Sequence, residues 1–334
     1  MDNNMPLVSV IMSVYAEPIE WLRLSIESIL KQTYNNFEFI IINDNPQYFE
    51  GISLLNEYAQ KDKRIKLVFN KENIGLTKSL NIGIKESQGK YIVRMDADDV
   101  SMPERIAKQV GFMENHSDIV ASGTGCYQWN NEKEKIAHRR TKNKELRSKL
   151  IFDSPIYHPT AIFRRVVDDE IVKYDESFRY SQDYALWISL MEHHKLSNID
   201  EPLIKYRISN QQISTAKHEE QNVYALRNQK NAMRMIGIVL SEDEHSLFQD
   251  YTRHPEIIHE RKEIELLVVK FLNQVRKKND IIYSVVANQL MLIYINRIAN
   301  NYGLFSSLVS LLRMDFKIRS FSFYNLLSLM SKYF

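Results

Sequence analysis

The sequence predicts an α/β protein: a mostly parallel sheet flanked by helices, followed by a C-terminal helical module. Three observations predict it. Short β-branched runs alternate with longer amphipathic ones from Leu7 onward, acidic and amide residues follow the ends of those runs, and strand-like segments stop after about Lys217.

Val8 to Met12 reads as a buried strand. Pro18 opens a helix whose apolar stripe is Trp21, Leu22, Leu24, Ile26, Ile29 and Leu30, ending near Gln32. Phe37 to Ile42 is the next strand and Gly51 to Asp62 the next helix. Ile65 to Phe69 makes a third strand, Thr77 to Glu86 a third helix, and Tyr91 to Met95 a fourth strand. Right-handed crossovers would make these four strands parallel. Past Pro103 a helix runs to about Asn115, and Ile119 to Ser122 is a strand. Between Lys142 and Ile208 the pattern is mixed, with a helix from Asp183 to about Glu192 and strands near Leu196 and from Leu203 to Tyr206. Helices are then expected over Glu219 to Ile236, Pro255 to Lys277 and Ile281 to Ala299, with a last one from Phe321. The composition shift places a domain boundary near Ser214, so that residues 1–215 form one domain and 216–334 a helical module.

Composition narrows the function classes. Lys and Arg total 44 against 42 Asp and Glu, a net charge of +2, which gives no global field for binding nucleic acid. A lone cysteine, Cys126, excludes an intrachain disulfide framework and fits a reducing cytoplasm. The start of the chain, Met1 to Pro6, shows no basic-then-apolar export signal. The longest apolar stretches, such as Leu304 to Leu312, fall well short of the roughly 20 residues that span a bilayer.

In open parallel sheets, ligands bind beyond the carboxyl ends of the strands. Two acidic groups stand at such ends, Asn43-Asp44-Asn45 and Asp96-Ala97-Asp98-Asp99. Two carboxylates one residue apart, just after a buried strand, can present oxygens to one hard cation such as Mn²⁺ or Mg²⁺, which shares its shell with phosphate and water. The same aspartates could instead cap the helix that opens near Pro103.

The joint order of motifs resembles the inverting family 2 glycosyltransferases, whose fold is the Rossmann-like GT-A fold. The resemblance rests on Leu7 to Tyr15, on Ser25 to Tyr34 with its Gln32-Thr33 ending, on Phe37 to Asp44, on Asn73-Ile74-Gly75-Leu76 through Ile84, on Gly89-Lys90-Tyr91-Ile92, and on Asp96 to Asp99. It continues through Ser154 to Arg165, Tyr180 to Trp187 and Leu203 to Ser214, spanning about residues 7 to 215. It implies a nucleotide-sugar half over about 1–100 and an acceptor half over about 101–215.

By this resemblance Ser13, Tyr15, Asp44 and Asp96 line the nucleotide, Asp44 reading the uracil ring. Asp98 is the direct metal ligand, Asp96 serves the ribose or the metal's waters, and Asp99 is left as a helix cap. Asp183 is the general base, and His158, Lys78 and Arg207, with Arg94, are candidates near the diphosphate or acceptor. The implied reaction transfers a sugar, N-acetylglucosamine or galactose favoured, from a UDP-sugar to a surface-glycan or lipid-linked acceptor. Three departures stand out: Asn43 replaces an aspartate, Gln182 a glutamate, and Ser209 a histidine. The last two keep open a catalytically silent nucleotide-sugar-binding or scaffold protein on the same fold. A sugar nucleotidyltransferase would need a Gly-rich basic loop after the first strand, and Ser13-Val14-Tyr15-Ala16-Glu17 is none. The basic, apolar tail from Tyr302 to Phe334 suggests either peripheral contact with the inner face of an anionic membrane or a hairpin against another surface, including a second subunit in a homo-oligomer.

Overall fold

The computed structural model describes residues 5–130, 134–138, 142–209, 218–254, 257 and 259–302, with side chains undescribed at 261 and 294–302. The tail beyond Tyr302, the helix expected from Phe321, the apolar run from Leu304 and the boundary expected near Ser214 all lie outside the described residues. The chain divides into two compact units, Met1–Leu146 with Asp153–Asn228, and Arg147–Phe152 with Gln229–Phe334.

In the first unit the strands are β1 (Val8–Val14), β2 (Phe37–Asn43), β3 (Ile65–Phe69), β4 (Tyr91–Asp96), β5 (Val100–Ser101), β6 (Ile119–Trp129), β7 (Glu134–Ala137), β8 (Ile162–Arg164), β9 (Val166–Val167), β10 (Glu170–Ile171) and β11 (Lys195–Arg207). Its helices are α1 (Ile19–Leu30), α2 (Phe49–Lys61), α3 (Leu76–Glu86), α4 (Arg105–Asn115) and α6 (Gln182–His193), while α5 (Asn143–Lys149) and α7 (His218–Met235) begin in it and end among residues of the second unit. The main sheet runs β3-β2-β1-β4-β8-β6-β11-β5, with β7 paired to β6. Its first four strands are mutually parallel, as their alternation with helices requires, and β8 then pairs antiparallel to both β4 and β6. Every residue of β2 is buried, which explains why Phe37 to Ile42 reads as a continuous apolar run rather than an alternating one. The α1 stripe Leu22, Ile26 and Ile29 packs in the same core as Val10, Met12, Phe39 and Val93.

Register positions the chemistry. Val14 pairs with Asn43, Ser13 pairs with both Ile42 and Asp96, and the Asp44 amide donates to Val14 O at 2.8 Å. The carboxyl ends of β1, β2 and β4 therefore finish at one level, with their polar residues at one edge. At the opposite end the chain approaches itself so closely that a Cβ on Gly89 would lie 2.6 Å from the Ser9 nitrogen.

Three expectations differ from the structure. The stretch 195–207 is one strand rather than two, its register shifting around Ile199, Pro202 and Lys205 because Pro202 cannot donate to the ladder. β5 is too short for any pattern, and β6 continues past Ser122 to Trp129. In the second unit, α8 (Glu242–Arg253) precedes α9 (Arg261–Val275) and α10 (Tyr283–Tyr302), so the helix expected from Pro255 starts at Arg261 and one helix before it was missed. Ser241 and Glu244 form a reciprocal capping box for α8. That unit buries Phe248 against Phe271, their rings stacked 4.6 Å apart. No helix among the described residues is long and apolar enough to cross a membrane.

Candidate active site

The end of β4 turns through Asp96-Ala97-Asp98-Asp99, and carboxylate oxygens of the three aspartates lie within 4.8 Å of one another. Ala97 is buried and Ser25 Oγ donates to Asp96 O at 2.9 Å, so the turn is anchored to α1 while its acids are held together. Burial pushes Asp98 up to about 7, with further contributions from Asp96 and Glu17, and burial also lifts Asp99 well above the usual carboxylate range. A concentration of negative charge that resists ionisation on its own is the environment a hard divalent cation relieves. The carboxylate-only donor set fits Mn²⁺ or Mg²⁺ and does not suit a soft metal.

Buried cations underlie this turn. Arg94, 2% exposed, pairs with Asp96 Oδ1 and donates to Met95 O. Arg105 donates to Arg94 O at 2.7 Å and Pro159 O at 2.8 Å, tying β4 to the 3-10 turn His158–Thr160, and burial lowers it to about 9. Arg207, 4% exposed, has its guanidinium between the rings of Trp21 at 4.3 Å and Trp129 at 4.1 Å. Its Nε donates to Asp98 O and its amide to Asp99 Oδ1, each at 2.8 Å. Arg94 and Arg207 thus grip the acidic turn from within the protein. Asp99 is committed to Arg207 and not to the start of α4, where Ile106 N instead donates to Gln32 Oε1 at 3.0 Å; the expected cap is corrected on this point.

Asp44 is 3% exposed and its carboxylate accepts from Asn70 Nδ2 at 2.8 Å, Ile74 N at 3.0 Å and Gly75 N at 2.9 Å. Gly75 takes φ +88°, a conformation that favours glycine, and it turns its amide to Asp44 at the start of α3. A carboxylate has about four acceptor positions, so Asp44 keeps one for a further donor. Ser13 is half-buried at the strand end, Tyr15 is 51% exposed, and Lys78 is exposed on α3. The Tyr15 amide donates to Glu17 Oε2 at 2.9 Å.

Asp183 lies in the first turn of α6 and accepts from Ser154 Oγ at 3.1 Å. Burial raises it to about 6 against the lowering effect of helix-terminal amides and Ser154, which places it where a base working near neutrality belongs. His158 Nε2 lies 2.8 Å from Tyr174 Oη, and burial, then Arg94, holds the imidazole well below its ordinary range, so it is neutral. Tyr174 is raised by burial and feels Arg94, Asp183 and Asp96 together. This phenol lies within electrostatic reach of both the acidic turn and Asp183.

Sequence reasoning missed Glu17, Arg105, Tyr174, Ser154 and the two tryptophans around Arg207. Their roles depend mainly on partners far away in the chain.

Residues 9–172 match the family model for glycosyl transferase family 2. The chain is 37% identical over 224 residues to an uncharacterized glycosyltransferase of Methanocaldococcus jannaschii, covering 66% of this chain and 77% of the relative. It is 34% identical over 227 residues to the O-antigen biosynthesis glycosyltransferase WbnJ of Escherichia coli, covering 66% and 88%. Among solved structures, Staphylococcus aureus TarS 1-349 in complex with UDP-GlcNAc superposes with a TM-score of 0.58 at 14% identity, over 90% of this chain and 89% of that one; the chain spans 55% of the longer TarS structure. The fold and the conjunction of motifs define a GT-A glycosyltransferase. The chain belongs to glycosyltransferase family 2.

Proposed function

We propose that this glycosyltransferase is inverting and cation-dependent, moving a sugar from a UDP-sugar, N-acetylglucosamine or galactose favoured, onto a surface-glycan or lipid-linked acceptor. The observation that carries the reading is the pairing of a carboxylate-only cluster at the end of β4 with a separate carboxyl group, Asp183, raised to about 6. Relatives and neighbours support its parts: WbnJ is named for O-antigen biosynthesis, and TarS was solved with UDP-GlcNAc.

In this reading Asp98, with Asp96, would hold Mn²⁺ or Mg²⁺. When bound, the cation would neutralise the negative charge that grows on the departing diphosphate. The chain's own residues do the rest. Asp44 uses its remaining acceptor position for the uracil N–H, with Ser13 and Tyr15 lining the nucleotide. Lys78 and the neutral His158 are the candidates on the diphosphate side. Arg207 holds the acidic turn in place through its bonds to Asp98 and Asp99.

Asp183 takes the proton of the acceptor hydroxyl as that oxygen bonds to the anomeric carbon, and the bond from that carbon to the diphosphate oxygen breaks from the opposite face. UDP leaves with the electron pair, and the configuration inverts. With burial holding it near 6, the Asp183 carboxyl is mostly ionised at neutral pH and ready to accept a proton. Peripheral membrane contact through the C-terminal segment and homo-oligomerisation belong to the same proposal, since lipid-linked acceptors reside at a membrane surface.

A mass-spectrometric screen of UDP-sugars against glycan acceptors, with and without Mn²⁺, tests it. Turnover that Asp183→Asn abolishes is the expected result. UDP binding without transfer from any donor would instead favour the silent binding protein that Gln182 and Ser209 leave open.

A further inference from the structure

The segment Phe178–Ser181, which leads directly into Asp183, is gripped by the first half of α7, and one residue in that grip is backbone strain. Ser181 sits at φ +54°, ψ +28°, in the left-handed region, as the N-cap of α6. The other non-glycine residues with positive φ among those described, Asp168 and Asp169, form the two-residue turn between β9 and β10, where such angles are required. Ser181 has no hairpin to explain it, and strain of this kind persists only where surrounding structure holds it.

Besides the α6 bond that Ala185 N donates to Ser181 O at 3.2 Å, what holds it is α7. Asn228 Nδ2 donates to Ser181 O at 2.9 Å, with Asn228 fully buried and Ser181 8% exposed. Ser181 Oγ reaches Gln221 O at 3.4 Å. Tyr224 packs against both Phe178 and Tyr180, with ring centroids at 6.1 and 5.9 Å, and the Arg227 guanidinium lies 4.2 Å from the Phe178 ring centre. The Asn228 amide is not there for general satisfaction, because its Oδ1 is buried without a hydrogen-bond partner among the described residues. An apolar residue of similar size would avoid that unpaired acceptor, so what the position gains from asparagine is the single donor aimed at Ser181.

We propose that Asn228 is a positioning residue for the base: by holding the strained Ser181 carbonyl it fixes the first turn of α6 and so the place of Asp183 against the acceptor hydroxyl. The inference rests on reading Asp183 as the base. It also assigns a role to a helix outside residues 9–172, the part that matches the family model.

The test is steady-state kinetics from pH 5 to 9 on the full chain, for Asn228→Ala, the double variant Asn228→Ala/Ser181→Gly, and Asp183→Asn, with thermal unfolding of each. Misplacing a catalytic group by about 1 Å can cost on the order of 100-fold. Asn228→Ala should therefore lower kcat by about 10- to 100-fold with the donor KM changed less than about 2-fold, and shift the acid limb of the kcat profile. Glycine accepts φ +54° without strain, so Ser181→Gly in the same chain should recover part of the lost kcat. If Asn228→Ala does not fold, Asn228→Ser, which keeps a donor too short to reach Ser181 O, takes its place with the same expectation. A lowered melting temperature with unchanged kcat and acid limb would make Asn228 merely structural and overturn the proposal, as would a kcat loss that Ser181→Gly leaves unrelieved. Full activity in Asp183→Asn would overturn the base reading itself; an inactive Asp183→Asn beside a fully active Asn228→Ala would overturn only the positioning role.

Discussion

Replacing Asp183 by Asn should slow the enzyme and stabilise the protein at the same time. The carboxyl rises from an ordinary value of 3.8 to about 6, chiefly through burial. A folded-state pKa above the unfolded one means that the fold prefers the protonated form. The stabilisation this proton gives is complete below about pH 4 and is lost as pH rises through about 6. Above that pH the native protein bears the cost of an ionised, desolvated carboxylate. The shift of about two units corresponds to roughly 3 kcal/mol as an upper bound, which screening in a half-buried site reduces to about 1–2 kcal/mol. Asparagine is isosteric, can still accept from Ser154 Oγ, and carries no charge. Thermal unfolding at pH 8 should place Asp183→Asn a few degrees above the parent, since about 1 kcal/mol moves the midpoint by roughly 2–4 °C in a chain of this size class. At pH 4.5, just above the unfolded value, the difference should fall to about a third of that. Loss of general-base assistance should lower kcat by about 10²- to 10⁴-fold at pH 7 to 8, and by less below about pH 6, where the parent's own carboxyl is protonated. A variant that is slower but no more stable at pH 8 than at pH 4.5 would refute the desolvated-base argument. Equal activity would refute the role altogether.

Other parts of the site give sharper single readings. Asp98→Ala should abolish cation-dependent turnover while circular dichroism and the unfolding midpoint stay close to the parent, because burial and neighbouring acids make the ionised side chain unfavourable before a cation binds; unchanged turnover would mean the acidic turn holds no metal. Asp44→Asn should weaken UDP affinity in calorimetry and cost about 1–3 kcal/mol of stability, since an amide cannot accept all three bonds that Asn70, Ile74 and Gly75 donate. Gly89→Ala should lower the unfolding midpoint sharply with no change in donor KM for the folded fraction, because its Cβ would meet the Ser9 nitrogen at 2.6 Å, far from the carboxyl ends of the strands. Parental stability in that variant would show that the approach is looser than described.

The alternation of β-branched and amphipathic runs revealed the parallel half of the sheet, because buried strands and one-sided helices leave different periods in sequence. It concealed β11, where Pro202 interrupts the ladder, and α8, a mostly polar segment that buries only Phe248 and Tyr251 even though Ser241 and Glu244 spell a capping box. The positions of Asp44 and of Asp96 to Asp99 were legible as strand ends. What they bond to was not: Asp44 is mostly engaged by the 70–75 loop, and Arg207 is enclosed by Trp21 and Trp129 and bonded to the acidic turn. Such partners are brought together only by the crossing of the strands. The Ser181 strain was illegible for the same reason, since a serine before a helix reads as an ordinary cap.

The most direct test of the central claim is an NMR measurement of the product formed from an α-linked UDP-N-acetylglucosamine or UDP-galactose donor in the presence of Mn²⁺. The mechanism built on Asp98 and Asp183 predicts a β-linked product whose formation stops when the cation is chelated. An α-linked product, or full turnover in the chelator, would contradict it.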